Sequence, residues 1–305
     1  MKKLKHRAGK TVVFSFLINL CIILGLTFSA KCQLFDAMCE CGTEKADSLY
    51  NDCKYEEAKI EYSKFIDYEK GTTFYFAMTM LAKCHAVQQS PKDSVFKYLF
   101  IVVNESKMFR FVDISDCVFD SYRHFPEWEE ITKTAIEKTF VGKTQNEIDL
   151  ALMIGSDQKY RGLSPCKIDF LKEKQGIKDI WALQRKIDEE NEAVILKYFL
   201  DLKNDISSFK IKGSAYAGFM LVLWHSSLNV LKKMKPFMKK AFLEGKVKPE
   251  DYALYIDKLR VNKGKKQLYG TQYCPNKETK KMELAPIKNI KKLSKRKLKI
   301  GIKTE

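Results

Sequence analysis

Histidine is scarce in this chain: His6, His85, His124 and His225 are the only four in 305 residues. No H-E-x-x-H helix and no second closely spaced cysteine pair accompanies them, so no metal centre and no cofactor is expected. There is also no G-x-x-x-x-G-K-[ST] phosphate loop, no G-x-S-x-G elbow and no dinucleotide fingerprint, which removes nucleotide-driven and common serine-nucleophile chemistry. Glu189 and Glu190 are adjacent on a predicted helix and point apart, so paired-carboxylate glycoside hydrolysis has no support. Of nine cysteines, Cys21 lies in an apolar run and Cys39-Glu40-Cys41 is too tightly spaced for a normal bridge. A chain of this length builds a core without a disulfide framework, so the cysteines are weak evidence for one and their redox state stays open.

Acidic residues are absent from residues 1–32, where six bases stand. Lys2, Lys3, Lys5, Arg7 and Lys10 precede the apolar stretch Thr11 to Ala30, and Ser29-Ala30-Lys31-Cys32 then supplies small residues. This order predicts a secretory signal over residues 1–32, cleaved after Cys32 or after Ala30, and a periplasmic or extracellular location. The run also approaches the ~20 residues that cross a bilayer, which fits an uncleaved anchor in the inner membrane. Lys31 argues against a lipid on Cys32. The formal charge of +17 shrinks to +11 beyond Cys32. Residues 277–305 hold eleven bases against three acids, so residues 33–276 carry only +3. A basic tail of this kind suits an anionic surface; without interleaved aromatics it gives no sign of specific nucleic-acid binding.

The predicted fold is mainly α, a short helical-repeat array followed by a C-terminal helical domain with a polar motif loop. Leu49, Tyr50, Tyr55, Ala58, Tyr62 and Phe65 recur at helical spacing around a turn at Asn51–Lys54. A second pair of helices is expected over Phe76 to Val87 and Asp93 to Asn104, with Pro91 between them. Asp52-Cys53-Lys54-Tyr55-Glu56-Glu57-Ala58 resembles the turn of a tetratricopeptide repeat, with Cys53 where that family often has glycine. Asp116 to Arg123 and Pro126 to Ile131 look like the segment that caps such arrays, with Trp128 closing the stack. The resemblance implies an array over residues 33–140 that holds a protein or peptide partner, or serves as a spacer.

A second domain is expected over residues 141–276. It should contain a helix ending at Asp157-Gln158-Lys159-Tyr160-Arg161, a loop through Gly162, Pro165 and Gly176, and a long helix from about Asp179 to Leu202. A buried helix from Tyr216 to Leu231, and helices over Pro236 to Glu244 and Pro249 to Asn262, follow. Three polar groups stand out against this background: Asp157 to Arg161, the lone His225, and Gln267-Leu268-Tyr269-Gly270-Thr271-Gln272. Together with Asp188 and Asn191 they resemble an uncharacterised bacterial domain-of-unknown-function family with a D-Q-x-x-R-like motif, a mid-helix histidine and a Q-x-Y-G-T-Q motif. Asp205 to Lys212 departs from that pattern, and the resemblance implies no mechanism.

If the three groups met, His225 would act as general acid or base with Asp157 orienting it. Gln158, Tyr160, Arg161, Asn191, Gln267, Tyr269, Thr271 and Gln272 would grip a small polar or anionic ligand, and Gly270 would admit it to the backbone. The alternative is a structural clamp built from the same residues. These expectations describe an exported binding protein, or a metal-independent hydrolase or transferase.

Overall fold

A computed structural model describes residues 42–66, 71–106, 114–202, 209–276, 278–279 and 281–303. The expected signal over residues 1–32 and the Cys39–Cys41 pair lie outside the described residues. The chain is mainly α and divides into two compact units, residues 42–148 with 154–187, and residues 149–153 with 188–303. The division thus falls at Ile187–Asp188, and α6 and α8 below contribute to both.

The first unit begins with α1 (Glu44–Asn51) and α2 (Tyr55–Ser63), followed by α3 (Thr72–Val87) and α4 (Lys92–Glu105). A 3-10 turn at Cys117–Tyr122 then leads into α5 (Pro126–Thr139). Each helix packs on its neighbour in sequence. Small side chains make that close approach possible: Ala58, Ala77, Ala82 and Ala86 are completely buried at the crossings. The turn between α1 and α2 needs a left-handed residue, and Cys53 supplies it at φ 63°. Pro91 precedes α4 and Pro126 occupies its own helix's first turn, where a missing N–H costs nothing. Phe96, Phe119, Trp128 and Ile131 fill the core under α4 and α5.

The unit continues with α6 (Gln145–Gln158), whose Thr144 and Glu147 form a reciprocal capping box. Contrary to the expected loop, the stretch from Gly162 to Gly176 is not without regular structure. It contains α7 (Pro165–Glu173), started by the Ser164 hydroxyl accepting from Lys167 N and by Pro165 in the first turn. Phe170 and Leu171 of α7 enter the same core as Phe96 and Trp128. A disulfide between Cys53 and Cys166, 113 residues apart, ties α7 to the first turn.

The second unit takes the C-terminal part of α8 (Ile180–Asp201), then α9 (Gly213–His225), α10 (Leu228–Leu243) and α11 (Pro249–Val261). As the apolar run requires, α9 buries Phe219, Met220, Leu221, Val222 and Leu223. It does not continue to Leu231. Ser226 and Ser227 turn extended, and the Ser227 hydroxyl caps α10 by accepting from Val230 N. Glu192 fixes the corner, its carboxylate accepting from the Ser227 backbone N–H and, at 3.1 Å, from the Ser227 hydroxyl. Pro236 does not start a helix either. It lies inside α10, carried by the buried stripe Val230, Leu231, Met234, Phe237, Met238 and Ala241, whose burial outweighs one forgone backbone bond.

Beyond α11, a two-stranded antiparallel ribbon forms from β1 (Tyr273–Pro275) and β2 (Met282–Leu284). A 3-10 turn at Ile290–Lys292 and α12 (Leu293–Lys299) complete the described chain. The segment expected as a basic tail is therefore folded in its described part.

Candidate functional site

In the second unit, the loop from Gln267 to Gln272 follows α11 and encloses one carboxylate. Asp257 sits on the inner side of α11 with its side chain fully buried. Leu268 N donates to its Oδ1 at 2.6 Å, Tyr269 N to its Oδ2 at 2.9 Å, and Thr271 N and Oγ1 to Oδ2 at 3.2 and 3.1 Å. A buried charge demands such donors, and charge-assisted bonds of this kind are about twice as strong as neutral ones. Gln267, equally buried, ties the two ends of the loop together. Its Oε1 accepts from Gln272 N at 2.8 Å, while its Nε2 donates to Gln272 O at 3.1 Å and to Ala285 O at 2.5 Å.

Gly270 is held at φ +76°, and a β-carbon there would stand 3.2 Å from Ile287 Cδ1. The glycine thus serves close packing inside the protein. Tyr269 is buried, and its phenol is pushed up by burial and by Asp257, with Arg296 opposing. Gln272 Nε2 reaches Leu254 O at 3.4 Å. Arg296 of α12 donates from Nε to Leu268 O at 2.8 Å and from Nη1 to Asn289 O at 3.2 Å. Sequence reasoning singled out the loop and missed Asp257, the acid it folds around; the legible signal was a charged residue on the inward side of α11.

His225 is the last residue of α9, not a mid-helix residue, because Ser226 and Ser227 end the helix behind it. Its ring is half-buried and stacks on Trp224 at 5.5 Å and 11°. Beside Trp224 is a shallow apolar pocket lined by Met220, Leu223, Trp224, Leu254, Tyr255 and Lys258. Its cavity volume of about 10 Å³ admits no more than a water molecule. Asn191 is buried on α8.

Asp157, Gln158, Tyr160 and Arg161 belong to the first unit, whereas Asn191, His225 and Gln267 to Gln272 belong to the second. Asp157 is buried at the end of α6, with Gln158 Nε2 donating to its Oδ2 at 2.6 Å. Arg161 Nε donates to Asp157 O at 2.8 Å and stands 3.5 Å from its carboxylate. The fully buried Gln184 of α8 closes this corner, its Nε2 donating to Asp157 O and its Oε1 accepting from Tyr160 N, both at 3.0 Å. The Tyr160 hydroxyl donates to Asp120 at 2.8 Å, and burial together with that carboxylate pushes its phenol up. This motif locks a helix end.

Two further acids of the first unit gather cations. Asp116 takes Lys167 at 2.7 Å and Lys83 at 3.2 Å, and Asp120 takes Arg123 and Lys159, each at 2.7 Å. Burial alone would raise the Asp116 carboxyl, but Lys167 and Lys83 outweigh it and hold it well below the usual range. Among the described residues no three His, Cys, Asp or Glu side chains are grouped to hold a metal, and no helix is long and apolar enough to cross a membrane.

Residues 187–304 match the model of a family described as a family of unknown function, DUF6624. The match begins at the boundary of the second unit and runs through α12; the Asp157–Arg161 motif lies outside it. No curated protein and no solved structure matches the chain.

Proposed function

We propose that this chain is an exported binding protein, in which the helical first unit engages a protein or peptide partner and the domain of unknown function is a second recognition module. The carrying observation is how the Gln267–Gln272 loop spends its polar groups. Its backbone N–H groups surround Asp257, and the Gln267 amide closes the loop on itself. Groups committed in this way hold a surface in shape and are not available to grip a transition state. Export is supported by the signal-like N-terminal sequence and by the Cys53–Cys166 bridge, which suits an oxidising compartment. The surface of α2 offers the first unit a contact point, since Ile60 is 64% exposed there.

Mass spectrometry of the protein recovered from its producing cell tests export. The mature chain should begin at Gln33 or Lys31, and Cys53 and Cys166 should resist alkylation until reduced. A cytoplasmic protein with both thiols open would sink the reading. A photo-crosslinker at Ile60 should trap a discrete protein in the same compartment, and His225→Ala should leave that adduct in place. Loss of the adduct on changing His225 while the melting temperature holds would favour a site built on the imidazole.

A further inference from the structure

We propose that the ribbon and the basic helix of the second unit form one docking surface for an anionic lipid bilayer. The ribbon is two-faced. Tyr273 pairs with Leu284 and Pro275 with Met282, so these four side chains share one face, because alternate residues of a strand point the same way. That face is apolar and uncovered: Tyr273 is 59% exposed, Met282 62% and Leu284 43%. The other face carries Cys274 and Glu283, and the Asn276 amide bonds both Glu283 oxygens at 2.9 Å.

The cations come from the neighbouring segment. Lys281, Lys288, Lys291, Lys292, Lys295 and Lys299 are all exposed, and Ile290 (66%) and Leu298 (60%) stand exposed among them. Residues 277–305 together carry a net +8. Ribbon and helix are fixed to one platform, the Asp257-centred loop. Ala285 N donates to Gln272 O at 2.9 Å at the ribbon's base, and Arg296 anchors α12 to Leu268 O.

An apolar side suited to the acyl boundary, accompanied by exposed lysines of a length that can meet headgroups, matches an anionic bilayer in both polarity and charge. A protein interface fits less well, since lysine is depleted in interface cores. The inference stands apart from the partner of the first unit and from any role of His225.

Co-sedimentation of the full-length protein with vesicles tests it, using phosphatidylcholine alone and phosphatidylcholine with roughly one-third phosphatidylglycerol. Binding should require phosphatidylglycerol and fall as salt rises from about 0.1 M to about 0.5 M. Lys291→Glu, Lys295→Glu and Lys299→Glu combined should weaken it by at least about tenfold. Met282→Ser with Leu284→Ser should weaken it by about tenfold at an unchanged melting temperature, because neither side chain is in a core. The proposal is overturned by equal binding to both vesicles or by ribbon variants that bind like the parent. Tighter binding to soluble heparin than to the vesicles also overturns it, marking a polyelectrolyte contact instead.

Discussion

At the scale of single residues, the decisive contrast is between Asp257 and His225. The aspartate is fully buried and meets four donors, so its removal leaves backbone N–H groups stranded in the interior. Asp257→Ala should cost about 3 kcal/mol or more, since each of the three stranded backbone N–H groups is worth about 1–3 kcal/mol, read as a lower denaturant midpoint for the second unit. His225→Ala, at a half-buried helix end, should cost about 1 kcal/mol or less. A reversal of that order would sink the clamp reading of the loop. His85 gives a test against pH. Burial and the nearby Lys59 hold its imidazole below the ordinary histidine value, while Ser90 and the Tyr98 ring hold it in place. A depressed folded value means the neutral form is preferred in the fold, so its contribution is complete above about pH 6.5 and erodes as pH falls below that. The drop in melting temperature between about pH 7.5 and about pH 5.5 should therefore be smaller in His85→Gln than in the parent.

At the scale of elements, legibility followed the strength of local signals. Helices α1 to α5, α8 and α11 were readable because apolar spacing, prolines at first turns and small crossing residues all agreed. The break at Ser226–Ser227 was hidden because apolar residues continue on both sides, and the corner depends on Glu192, 35 positions away from Ser227. Helix α7 was concealed by its glycine- and proline-bearing flanks, although Ser164-Pro165 is itself a helix-start signal. The motif residues were found, but which acid they serve was not: Asp257 lies ten positions before the loop, and its one sign, a charge on the inward side of α11, does not point to that loop. The Cys53–Cys166 pairing was illegible for the same reason: nothing local links two cysteines 113 residues apart. Pro236 offers a test at this scale. It is exposed inside α10, so it contributes no packing and withholds a backbone bond. Pro236→Ala should stabilise the protein by about 1–3 kcal/mol, visible as a raised melting temperature; a fall would mean the proline sets a bend the core requires.

For the whole molecule, the two units carry different fastenings, and separate unfolding is the expected consequence. The first is tied by a covalent link over 113 residues and by Asp116 and Asp120, which between them hold four cations. The second relies on the apolar cluster around Phe219 and Leu231 and on the Asp257 loop. In the chain-entropy model, a bridge closing a loop of this length is worth about 4–5 kcal/mol, so Cys53→Ser with Cys166→Ser should lower the first unit's transition steeply. Asp257→Ala should lower only the second. Scanning calorimetry of the parent and both variants would resolve two transitions that move independently. A single transition shifted equally by either change would show that the units unfold as one cooperative block. Independent movement would also mean that the ribbon and α12, which hang on the Asp257 loop, keep their lipid-facing geometry when the disulfide is reduced. Binding to phosphatidylglycerol vesicles should then survive reductant and fail in Asp257→Ala.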